Sequence, residues 1–212
     1  MHRTMQPTRR TLLAAATTLL ATPAILRAQP AATPPAAPAT PDPRLAPRDL
    51  GDVNAKLQVE EWFSFTCSHC AAFAADDFPD IKAKLIDTGK MHYTFREFPR
   101  DRLDLAAACV ARSLPAISYD RFVFSLLASQ RAWAFDRSVD PKDELAKRAA
   151  LAGMPREVFD KVIDDESLKN AILAAQADAE KKYSIDSTPT FIVNGKSHPG
   201  EMTAADFLAI AG

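Results

Sequence analysis

Cysteine is scarce in this chain: 212 residues hold three, too few to staple a scaffold, and a domain of this length can bury a core without disulfides. Excess charge of one sign is also missing. With 26 Lys and Arg against 27 Asp and Glu, no basic surplus argues for nucleic acid, which is excluded as the expected partner. No repeat of solenoid period is visible. A single Cys-x-x-Cys, Cys67 to Cys70, stands without a second such pair or a spaced pair of histidines. A four-ligand structural zinc site is therefore not expected, and no metal ligands are assigned.

What is present begins with an export pattern. Thr8-Arg9-Arg10-Thr11-Leu12-Leu13 is a twin-arginine arrangement, and the apolar stretch after it is short and broken by Thr17, Thr18, Thr22 and Pro23. This reads as a cleaved signal over residues 1–28, not as a membrane anchor, and places the mature protein in a bacterial periplasm. Loss of Arg3, Arg9, Arg10 and Arg27 leaves 22 basic against 27 acidic residues, a formal charge of −5. Residues 29–47 form a proline- and alanine-rich linker with nothing to bury. The folded domain is expected over residues 48–212.

Along that domain, residues 57–65 (LQVEEWFSF) predict a buried strand ending at the cysteine pair. A helix over 71–78 follows, broken or kinked at Pro79, continued over 81–86 and stopped by Gly89. Alternation predicts a second strand over 91–98. A wholly helical block occupies about 103–182. Strand 190–193, the Asn194-Gly195 turn, a return strand over 196–198 and a helix capped by Thr203 close the chain. This order predicts an α/β fold, a thioredoxin-like layer with an all-helical insertion.

A Cys67 in the first turn of a helix meets unsatisfied N–H groups and the positive dipole end, and the His69 imidazole adjoining it can donate a hydrogen bond or carry charge. Both favour the thiolate, hence the reduced state, so the Cys67–Cys70 disulfide is readily given away. Cys70, one turn further in, is expected to be the buried resolving thiol. Strand alternation turns only one of Glu60 and Glu61 inward.

The run Glu61-Trp62-Phe63-Ser64-Phe65-Thr66-Cys67-Ser68-His69-Cys70 resembles the active-site strand and Cys-x-His-Cys junction of the DsbA family of exported thiol-disulfide oxidoreductases. The likeness extends from about Arg48 to Gly212 and includes Thr188-Pro189. It implies a cis-proline at Pro189 facing the disulfide, with Thr188 touching the sulfurs and the substrate, and a proton role for Glu61 beside Cys70. Low thiol pKa and an oxidising couple belong to that family's namesake. Ser68 and Thr188 depart from its proline and valine, at places that tune potential and partner choice.

The resemblance implies a monomeric dithiol oxidase with no cofactor beyond the Cys67–Cys70 disulfide, acting on reduced or unfolded client proteins and reoxidised by a quinone-linked membrane partner of the DsbB type. The alternatives are a periplasmic isomerase or reductase on the same fold, or a metal-handling or peptide-binding module. Isomerases of this kind carry an N-terminal dimerisation domain, and only the linker precedes the fold here, which favours the oxidase. Cys109 is expected to be a buried inert thiol, His92 and His198 surface or strand-packing residues, and Phe122, Phe124, Trp133 and Phe135 the core of the insertion. The acidic runs Asp76-Asp77 and Asp164-Asp165-Glu166 read as solvated helix ends.

Overall fold

The computed structural model describes residues 42–212, together with His2. The expected signal, His2 apart, and linker residues 29–41 lie outside the described residues. Five strands form one sheet in the order β1-β3-β2-β4-β5. At its centre β2 (Leu57–Phe63) runs parallel to β3 (Met91–Glu97), with Leu57 opposite Met91 and Phe63 opposite Glu97. Antiparallel to β2 lies β4 (Thr190–Val193), joined to β5 (Lys196–Pro199) through Asn194 and Gly195, both at positive φ (48° and 83°) as a two-residue hairpin turn demands.

The edge strand β1 (Asp49–Gly51) pairs antiparallel with β3 and was not foreseen. It is too short for alternation to register. Gly51 closes it at φ +84°, where a Cβ would stand 2.2 Å from the Met91 carbonyl oxygen, so only glycine lets the two backbones approach. Ahead of Arg48 the chain is already folded: Asp42 caps a 3-10 turn over Pro43–Leu45, Arg44 pairs with Asp165 at 2.8 Å, and the Ala46 carbonyl accepts from Arg112 at 2.8 Å. Proline content alone does not mark these residues as linker, because proline suits a first helical turn.

The expected strand over 57–65 stops at Phe63; residues 64–66 turn instead, and α1 (Ser68–Asp76) starts at once. The bend foreseen at Pro79 falls at Asp77, and α2 (Phe78–Ile81) takes Pro79 in its first turn before running into a π-helical stretch, Lys82–Ile86.

The inserted block comprises α3 (Arg102–Ser113), α4 (Ala116–Ala128), a π turn (Arg131–Phe135), α5 (Pro141–Leu151), α6 (Arg156–Ile163) and α7 (Glu166–Tyr183). After β5, α8 (Ala204–Ala211) opens with a capping box made by Thr203 and Asp206. One continuous apolar core joins sheet and insertion, from Phe63, Tyr93 and Phe95 through Tyr119 to Trp133 and Phe159. Phe124 packs into that joint, its ring 4.5 Å from Phe78 centre to centre, not in a separate insertion core. Phe135 is 55% exposed, which corrects its placement among the core aromatics; it follows Trp133 on a short turn that buries the tryptophan and leaves its neighbour outside.

Asp165 is also more than a solvated end, since it caps α7 by accepting from the Leu168 N–H and holds Arg44. Among the described residues no helix is long and apolar enough to cross a membrane.

Candidate active site

The central strand delivers its C-terminal end to the cysteine pair. Ser64 begins a tight turn, in which the Cys67 N–H donates to the Ser64 carbonyl at 3.3 Å and the Thr66 N–H to the Ser64 hydroxyl at 3.2 Å. Cys67 is therefore not inside the helix but is the N-cap of α1, with extended backbone (φ −89°, ψ 122°). An N-cap side chain faces the free N–H groups of the first turn, which ordinarily receive an oxygen from Ser, Thr, Asp or Asn. Here the position is filled by sulfur, which as a thiol makes no cap hydrogen bond and as a thiolate would be the better acceptor.

Both thiols are buried and free in this structure. The hydrogen bond with the Cys70 thiol outweighs burial and draws Cys67 down from the ordinary thiol range; the Thr188 hydroxyl and the N–H groups of Cys70 and His69 lower it further, to about 4. Cys70 goes the other way. Burial, then the bond to Cys67 and the charges of Glu61 and Cys67, push it well above a free thiol.

Facing them, the Thr188-Pro189 peptide is cis, and the Cys67 thiol donates to the Thr188 carbonyl at 3.2 Å. Thr190 ties this loop down by donating its hydroxyl to the Ser187 carbonyl at 2.7 Å. Glu61 turns inward from β2 and is 4% exposed, whereas Glu60 faces the other side and pairs with Arg96 at 3.1 Å. Burial lifts the Glu61 carboxyl to about 7, against the hydrogen bond that the Tyr93 hydroxyl donates to it at 2.5 Å, and the Cys67 charge raises it further.

His69 is placed differently from expectation. Its ring is exposed and its Nδ1 meets the Glu201 carboxylate, which raises the imidazole's pKa, with a smaller contribution from Cys67. The hydrogen bond from residue 69 that lowers the Cys67 thiol comes from its backbone N–H, while the ring couples to the sulfur through charge alone. Cys109 is fully buried, and burial raises its thiol to about 12. His92 packs on the sheet, its Nδ1 2.8 Å from Gln58.

Sequence reading missed three residues that hold the site. Asp104, at the start of α3, accepts from the Phe65 N–H at 2.8 Å and from the Arg100 N–H at 2.9 Å, and burial raises it to about 6. Gln130, just past α4, donates to the Phe65 carbonyl at 2.8 Å and the Cys67 carbonyl at 2.9 Å. Glu201 holds His69. None carries a local signature, because each acts across a long stretch of chain.

Two thiols of opposed acidity at a helix N-terminus, faced by a cis-proline loop on a mixed five-stranded sheet, form the dithiol centre of a thioredoxin-like protein. The comparisons agree. A family model described as "Thioredoxin" matches residues 45–211. The crystal structure of Wolbachia pipientis alpha-DsbA1 superposes with a TM-score of 0.72 at 30% identity, covering 79% of this chain and 89% of that one. A protein from Rickettsia prowazekii named "Putative protein-disulfide oxidoreductase" is 33% identical over 147 residues, 69% of this chain and 53% of the relative.

The "Thiol:disulfide interchange protein DsbA" of Bordetella pertussis is 28% identical over 147 residues, 68% of this chain and 66% of the relative. The chain belongs to the thioredoxin family, among its DsbA-like members. It spans about half the length of the rickettsial relatives it matches.

Proposed function

We propose that this chain is a dithiol oxidase that donates its Cys67–Cys70 disulfide to reduced client proteins. The observation that carries the reading is the placement of the two thiols: Cys67 at the N-cap of α1 against the cis Thr188-Pro189 loop and Cys70 fully buried one turn on, which draws the first pKa down and pushes the second up. A client thiolate attacks the Cys67 sulfur, the bond to Cys70 breaks, and Cys70 leaves as a thiolate. The Glu61 carboxyl, held near 7, supplies its proton. A second client thiolate attacks the client sulfur of the mixed disulfide and expels Cys67 as a thiolate. The client loses two electrons and gains a disulfide, and the chain ends as a dithiol.

A low-pKa leaving thiolate at Cys67 speeds the second step and favours the reduced product, which is the oxidising direction. The Thr188 carbonyl lies beside the attacked sulfur and borders the position of the incoming strand. Reoxidation falls to a quinone-linked membrane partner of the DsbB type, the protein acts as a monomer, and residues 1–28 export it to the periplasm. Support for these three points comes from the DsbA-like relatives and from the twin-arginine pattern.

The test is titration of thiolate absorbance in the reduced protein, paired with oxidation of a reduced model protein. Cys67 should titrate far below a free thiol, and Cys67→Ala should abolish oxidation. A Cys67 titrating like free cysteine would sink the oxidase reading. Replacing Arg9 and Arg10 by lysine in a reporter fusion should stop export; unchanged export assigns the signal to the general secretory route.

A further inference from the structure

The turn carrying Cys67 draws little of its support from the sheet layer. Between Phe63 and Ser68 the backbone has a bond from the Cys67 N–H to the Ser64 carbonyl and, at the helix entry, one from the Ala71 N–H to the Cys67 carbonyl at 3.1 Å. The Thr66 N–H turns to the Ser64 hydroxyl, and the Phe65 N–H and the Phe65 and Cys67 carbonyls are held from the inserted block. Asp104 takes the Phe65 N–H, and Gln130 spends its side-chain N–H donors on the carbonyls of Phe65 and Cys67. Gln130 is itself only 6% exposed, and the π turn it opens is anchored by Trp133, whose ring N–H donates to the Leu126 carbonyl at 2.9 Å. A primary amide has two N–H donors in a fixed plane, so bridging two carbonyls defines their separation and direction.

We propose that Gln130 is a positioning residue of the dithiol centre: by clamping the carbonyls on either side of Thr66, it holds Cys67 in the extended N-cap conformation that aims its sulfur at the free N–H groups of α1.

Two effects act in the same direction. The clamp fixes the backbone angles at Cys67, and without them the sulfur loses its place in front of the His69 and Cys70 N–H groups. It also ties up two carbonyl dipoles, that of residue 67 itself and that of residue 65, which would otherwise oppose a negative charge on the sulfur. An apolar side chain at 130 would leave the Phe65 carbonyl without a partner and the Cys67 carbonyl with the Ala71 N–H alone, and the turn would relax to compensate. The inserted block thereby takes part in setting the redox equilibrium.

The inference rests on the redox reading of the cysteine pair but not on the direction of electron flow. Its test compares the reduced wild type with Gln130→Met, which keeps side-chain length and removes the donors, and with Gln130→Asn, which keeps an amide one methylene short. Phe159→Leu, a change in the α6 core that makes no bond to the turn, is the control for general loss of stability. Thiolate titration should place Cys67 about one unit higher in Gln130→Met. The equilibrium constant against glutathione should fall about tenfold, about 30 mV for this two-electron couple.

Gln130→Asn should shift both in the same sense by less, and Phe159→Leu should lower Tm while leaving both at wild-type values. A Gln130→Met protein whose Cys67 titrates and equilibrates like wild type overturns the proposal. If that variant does not fold, wild-type values in Gln130→Asn overturn it equally. Because only differences from wild type are read, a wild-type Cys67 that titrates as a free thiol defeats the oxidase reading without deciding the role of Gln130.

Discussion

Cys67 in the sheet layer and Cys109 in the inserted block are the same residue type, both nearly inaccessible, at 2% and 0% exposure. One is lowered to about 4 and the other raised to about 12. Cys109 lies in the interior of α3, where the helix's own carbonyls use the backbone donors and burial dominates over the opposed charges of Lys169 and Asp165. Cys67 stands one residue ahead of a helix, where the donors are still free. Burial does not make a thiol inert; hydrogen bonds to the sulfur decide, the Cys70 thiol first and the unpaired N–H groups of the helix start after it.

The contrast extends to the two regions as wholes. The sheet layer contributes Glu61, Cys67, Cys70 and the Thr188 carbonyl that meets the first sulfur, and the insertion contributes Asp104 and Gln130, which hold backbone.

If the insertion braces the site, the joint between the regions should be costly to cut. Arg112 of α3 donates twice to Glu97 at the end of β3, 2.6 Å each, and Tyr119 of α4 donates to the same carboxylate, all three side chains being buried. Arg112→Met strands that charge and should lower unfolding free energy by about 3–5 kcal/mol in urea titration. A loss under about 1 kcal/mol would show that the regions are joined by the apolar core alone. Asp104→Ala leaves the Phe65 and Arg100 N–H groups without their acceptor, and a loss of about 2–5 kcal/mol is expected in the same measurement.

A change in the sheet layer should do the opposite. The Glu61 pKa is raised on folding, from 4.5 to about 7, so the folded state binds more protons across that interval and wild-type stability falls as pH rises through it. Relative to wild type, Glu61→Gln should gain about 3 kcal/mol between pH values below 4.5 and above 7, read from urea midpoints. A flat difference would mean that Glu61 is not buried as a carboxylic acid. Phe135→Ser, on the exposed rim of the insertion, should change stability by no more than about 0.5 kcal/mol. A larger loss would give that ring a packing role the fold does not assign it.

The elements that could be read along the chain were those whose cause is local. A cysteine pair one helical turn apart, an apolar strand before it, Thr188-Pro189 before another strand, and Asn194-Gly195 all act on immediate neighbours, and the helical block repeats its apolar positions over many turns. Glu61 was legible as half of an alternative, since alternation admits Glu60 or Glu61 but not both.

What escaped was contact at a distance. Asp104 reaches its partner across 39 residues of chain, Gln130 across 65 and Glu201 across 132. Aspartate, glutamine and glutamate are ordinary surface types, so nothing in their local setting separates these three from residues that face water. The ring of His69 was assigned to the sulfur because only near neighbours are visible in one dimension, and Glu201 claims it instead. Residues 43–47 were read as linker for a related reason: their composition is poor in core-forming types, yet Arg112 and Asp165 on the inserted helices give them partners.

The sequence alone determined that a dithiol would stand where a strand passes into a helix, because spacing and periodicity are properties of consecutive residues. It also settled that the chain's third thiol would be hidden, through its place on the apolar face of a helix. Only the tertiary structure decided that the first sulfur takes the N-cap rather than a place within the helix, that Glu61 rather than Glu60 turns inward, and that the inserted block secures the turn between. Those outcomes depend on buried backbone groups finding partners, and a buried donor or acceptor is satisfied by whatever side chain the fold brings within about 3 Å, however remote in the chain.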